Sequence, residues 1–102
     1  MMAQHKFKLR DIVWLSCEVR SGPFSNERRV YLKFGDNEWF GFVNVAELQQ
    51  KVLKGADRVK AVVIGTEPKG RVVLSVRGQS PASGPIHTDY PSLMAEHGTV
   101  AT

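Results

Sequence analysis

Apolar side chains return at every second position through most of residues 12–76, and this period is the main constraint on the fold. In the first run Val13, Leu15, Cys17 and Val19 alternate with Ile12, Trp14, Ser16 and Glu18. In the second, Val30, Leu32 and Phe34 alternate with Arg29, Tyr31 and Lys33. A strand turns successive side chains to opposite faces, so each run can bury one face and show the other to solvent. The third run, "EWFGFVNV", places Trp39, Gly41, Val43 and Val45 on one face and Phe40, Phe42 and Asn44 on the other. "SGPFSN" and "GDN" supply turns between these runs. "DRVKAVVIGTE" and "RVVLSVRG" are two more strands, joined by the turn residues "PKG".

One segment breaks the period. "NVAELQQKVLKG" sets Val45, Leu48 and Val52 at helical spacing, with Leu53 beside them. Asn44 and Glu47 have capping-box spacing, and Gly55 suits a helix end, so a short helix is expected near residues 45–54. Five strands with a helix between the third and fourth is the layout of an all-β, five-stranded Greek-key OB-fold barrel. Closure would also remove the exposed edges of so small a sheet. An SH3-like barrel is the rival architecture, but it rarely places a helix there.

The chain divides into three zones. Residues 1–10 form a basic N-terminal arm with His5, Lys6, Lys8 and Arg10, and residues 11–78 form the barrel. Residues 79–102 are rich in Ser, Pro, Gly and Ala and read as a flexible tail, with disorder expected beyond about Gly84. The exception is "YPSLM", where Tyr90, Leu93 and Met94 have the apolar character to dock in a groove. At 102 residues the chain has the length of one domain. Its single cysteine, Cys17, excludes an internal disulfide and suits a reducing, cytoplasmic setting. No apolar run reaches the length of a membrane span, and no signal peptide opens the chain.

Two segments resemble a known family. "GFVNVAEL" is similar to the GFVHxSEL segment of the RNA-binding repeat in the largest small-subunit ribosomal protein, the ribosomal S-one repeat, a cold-shock-like barrel. "VKAVVIGTEPKGRVVLSVRG" is similar to that family's closing hairpin, which commonly ends in LSxR or LSxK. The resemblance covers about residues 11–78. It departs from the family at Arg29, where an aromatic is frequent, at Asn44 and Ala46, which replace a histidine and a serine, and in a longer first turn. It implies that Gly41, Val43 and Val45 face the core and that Phe40 and Phe42 face outward. Val43 and Val45 are also better core residues than Asn44 on chemistry alone. A bulge at Gly41, turning one phenylalanine inward, is the other arrangement.

With that facing, one outer surface carries Trp14, Arg29, Tyr31, Lys33, Phe40 and Phe42, and Arg28 adjoins them. Unpaired bases stack on flat rings while Arg and Lys meet phosphates, so these seven are the candidate nucleic-acid-binding residues. Each has a plainer reading. Trp14 and the phenylalanines can cover the barrel, Arg28, Arg29 and Lys33 can form a solvated edge, and Asn44 suits a helix cap better than a base reader. Arg58 and Lys60 read as part of a solvated face, whereas Arg71 and Arg77 can extend the groove. Net charge is only +4, which permits a nucleic-acid partner without requiring one. No metal-ligand spacing, phosphate-cradling glycine loop or nucleophile turn is present, so neither catalysis nor a cofactor is expected. The expected function is single-stranded RNA binding with weak sequence preference. The alternatives are single-stranded DNA binding, or a protein-interaction module using the same face.

Overall fold

Among the described residues six strands form where the alternation predicts five. The computed structural model describes residues 7–34, 37–77 and 85–97. Its strands are β1 (Ile12–Ser21), β2 (Glu27–Phe34), β3 (Asn37–Asn44), β4 (Gly55–Glu67), β5 (Arg71–Val76) and β6 (Ile86–Asp89), followed by the helix α1 (Tyr90–His97). All neighbours are antiparallel, in the order β3-β2-β1-β4-β5-β6, and the sheet curls into a nearly closed barrel. β4 is long enough to pair with β1 through its first half and β5 through its second.

Alternation sets the core. Val13, Leu15 and Val19 of β1, Val30 and Leu32 of β2, Val43 of β3, Val59, Ala61 and Val63 of β4, and Val72, Leu74 and Val76 of β5 all point inward and are buried. Phe7 joins this cluster, and the backbone N–H of Arg10 donates to the Val63 carbonyl, so the end of the N-terminal arm packs on the barrel. Residues 1–6 lie outside the described residues.

The helix expected over 45–54 is replaced by a single 3-10 turn, Val45–Glu47. Asn44 does cap it, its side-chain oxygen accepting from the Ala46 N–H at 2.9 Å. The turn stops because Leu48 is drawn into the core, where it bridges Val59 of β4. The buried Asp57 carboxylate then accepts the backbone N–H groups of Gln50 and Val52, at 2.9 and 3.1 Å. These are donors that a continuing helix would have used itself. Tertiary contacts have overridden a helical period of only three apolar residues.

The expected flexible tail is also corrected, for residues 85–97. Ile86 and Thr88 face inward on β6, and Leu93 of α1 is fully buried in the core, at 0% exposure. Asp89 caps α1 by accepting the Ser92 N–H at 2.8 Å, and hydrogen bonds from Ser92 hold its carboxyl below the usual range. Pro91 sits in the first turn, where a missing N–H costs nothing. Of the "YPSLM" side chains singled out from the sequence, Leu93 docks, whereas those of Tyr90 and Met94 lie outside the described residues, as do residues 78–84 and 98–102.

Leu93→Ala should therefore destabilise the protein by about 2–5 kcal/mol, the range for a buried leucine leaving a cavity. Chemical denaturation checks this, and an unchanged midpoint would mean that α1 is not part of the folded unit. A second expectation concerns Gly41. A Cβ there would lie 2.3 Å from Cη2 of the Trp39 indole, so Gly41→Ala should cost about 1–3 kcal/mol by forcing that buried ring aside.

Candidate nucleic-acid interface

The outward rows of β1, β2 and β3 meet in a defined register. Phe42 lies opposite Arg29, Phe40 opposite Tyr31, and Glu38 opposite Lys33. On the other side of β2, Tyr31 lies opposite Glu18 and Arg29 opposite Arg20. The facing is the one read from the sequence: Trp39, Gly41 and Val43 are buried, and Phe40 and Phe42 are on the outer side. Their rings are half-buried because they pack on one another. Tyr31 and Phe40 centroids are 4.9 Å apart and tilted, and Phe40 and Phe42 meet edge-on at 5.4 Å.

Cations border this three-ring cluster. Arg29 is steered by its Nε, which donates to the Ser21 carbonyl at 3.0 Å. Arg20 stands directly across from it, an unfavourable like-charge pair, relieved in part by a 3.9 Å contact between Arg20 and Glu18. Lys33 is exposed at the far side. An open groove of about 940 Å³ runs past Arg20, Arg29, Tyr31 and Lys33 and also meets Glu18 and Glu38. A second cleft of about 390 Å³ joins Phe42 and Asn44 to Glu27, Glu47 and Arg77, which brings Arg77 beside the β3 end of the surface.

Two of the seven sequence candidates stand apart. Arg28 faces inward and is only 8% exposed. Its guanidinium donates to the carbonyls of Val52, Ser25 and Glu27 at 3.1, 2.9 and 2.9 Å, tying the β1–β2 turn to the segment before β4. Its position in the alternation, beside Val30 rather than Arg29, is the signal for this placement. Trp14 does face outward, but it is separated from the rings of β2 and β3 by the end of α1.

The separation follows from a gap in the sheet. Paired register between β1 and β2 runs only from Ser21↔Arg28 to Glu18↔Tyr31. Beyond Glu18 the strands part, and His97 enters the gap. Its Nε2 lies 3.0 Å from the Lys33 carbonyl, its own carbonyl accepts from the Ser16 hydroxyl at 3.3 Å, and its ring packs on Phe34 at 4.7 Å. His97 is buried and lines the groove, a role that no local sequence signal announces. Arg20 and Glu18 were not among the sequence candidates either, although the outward row of β1 that carries Glu18 runs on to Arg20.

Among the described residues, no group of three or more His, Cys, Asp and Glu side chains is placed to hold a metal ion. No described helix is long and apolar enough to cross a membrane. Compared with known proteins, the chain matches no family model, no curated protein and no solved structure.

Cys17 touches the groove yet is buried, and burial, reinforced by the Asp57 and Glu18 carboxylates, pushes its thiol up to about 12. The unfolded chain ionises at about 8.5, so it releases its proton first as pH rises. The stability contributed by this group is present below that value and is lost as pH climbs toward 12. At about pH 9 the folded protein should resist iodoacetamide while the urea-unfolded protein is alkylated rapidly. Equal labelling rates would contradict the burial.

Proposed function

We propose that this chain is a cytoplasmic single-stranded RNA-binding protein built on an OB-type barrel, with weak sequence preference. The observation that carries the reading is the cluster of Tyr31, Phe40 and Phe42 on the outer sheet face, bordered by Arg29, Arg20 and Lys33. Rings clustered at a sheet surface offer a platform for unpaired bases, and base stacking on them tolerates any base. The adjacent Arg20 and Arg29 repel each other, and a phosphate between them would relieve that repulsion. The pairings β1–β2, β2–β3, β1–β4 and β4–β5 agree with the Greek-key order of an OB barrel, here with β6 added beyond β5. The single free thiol favours a reducing compartment.

Tyr31→Ala or Phe42→Ala should weaken binding to a single-stranded RNA oligomer by about 1–3 kcal/mol, the loss of one stacked base. Affinity for the unaltered protein should fall steeply with added salt, as counterion release requires. Titrations of RNA and DNA oligomers at two salt concentrations, with thermal unfolding of each variant, check both. Equal affinity for the two polymers would move the reading to single strands in general. Tight, salt-insensitive binding of an apolar peptide, with no RNA binding, would replace it with a protein-interaction module.

A further inference from the structure

The outer rows of β1 and β4 are not explained by the site just described. Along β1, Ile12, Trp14 and Ser16 face outward, and β4 sets Val62, Lys60 and Arg58 directly opposite them. Lys60 Nζ lies 5.9 Å from the centroid of the Trp14 ring, a cation held against an indole. These six positions hold two cations and no carboxylate. The Tyr31 groove, by contrast, mixes Glu18 and Glu38 with its cations. Taken from the sequence alone, Arg58 and Lys60 belong to a solvated face, but register turns them onto the one outward tryptophan.

We propose that this β1–β4 surface is a second subsite for the same RNA strand, with a base on the Trp14 ring and a phosphate at Lys60. The inference rests on the RNA-binding reading above. Along β1, Trp14 is four residues from Glu18, the residue level with Tyr31, which is about 13 Å of strand. A single nucleotide cannot touch both, whereas a strand of several can. The C-terminal end of α1 lies between, seated on Ser16, and the partial negative charge of a helix C-terminus repels phosphate. The strand therefore contacts the ring cluster, passes the α1 end without binding it, and lands on Trp14.

Length dependence tests this. Affinity is measured for two oligouridylates, of about three and about twelve nucleotides, a range that brackets one or both subsites. Lys60→Gln should bind the longer oligomer about fivefold more weakly and the shorter one unchanged. For the longer oligomer its log–log salt slope should fall by about 0.7, the share of one phosphate on a single strand. The longer oligomer should also quench tryptophan fluorescence, and Trp14→Phe should abolish the quench, because Trp39 is buried. Tyr31→Ala should weaken both oligomers. Suppose Tyr31→Ala does so while Lys60→Gln binds both lengths like the parent and no quench appears. The second subsite is then overturned and the ring-cluster site stands. An equal loss for both lengths also overturns it, since that marks a general change in field. If the unaltered protein binds neither oligomer, the RNA reading itself fails and the subsite with it.

Discussion

Trp39 lies across Gly41, two residues on, and the character of the outer surface depends on that contact. The indole fills the space that a side chain at position 41 would occupy, within 2.3 Å of its Cβ. Only glycine leaves the ring room to stay buried on the inner face. With Trp39 and Val43 both inward, a regular strand must turn Phe40 and Phe42 outward. Pairing with β2 then sets Phe40 against Tyr31 and Phe42 against Arg29. A small residue on the core side thus decides which rings stand on the outer face.

The arginines show how position in the pleat decides the role of a charge. Arg28 and Arg29 are neighbours in the chain. Arg28, on the inner side, has its guanidinium met by three carbonyls, so its burial is compensated and it braces two loops. Arg29, on the outer side, bonds one carbonyl and stands beside Arg20 at the edge of the ring cluster. Lys60 shows the same rule on β4, where register places it over Trp14.

The C-terminal segment completes the barrel. β6 extends the sheet beyond β5, and α1 runs from it to the gap between β1 and β2, contributing Leu93 to the core on the way. His97 there makes hydrogen bonds to β1 and β2 where their pairing has ended. The outer face is split as a consequence, with Trp14 on one side and Tyr31, Phe40 and Phe42 on the other.

Period-two alternation in residues 12–76 was enough to determine an all-β chain and the two rows of each strand, while the core chemistry of Val43 and Val45, with the family resemblance, pointed Phe40 and Phe42 outward against the alternative of a bulge at Gly41. Those are local properties, because every second residue of a strand shares a face whatever the strand pairs with. The sequence also showed the Asn44 cap, which depends on two neighbouring residues. Only the tertiary structure decided where strands part, what fills the gap and which outward residues become neighbours. Leu48 left a helical pattern because a core position and the Asp57 carboxylate offered more than one further turn did. β6 and α1 carry too few apolar residues to declare themselves, and the segment reads as a tail. The approach of Lys60 to Trp14, and of His97 to Ser16, joins residues far apart in the chain. Strand register and a docked helix bring them together, and no spacing in the sequence encodes either.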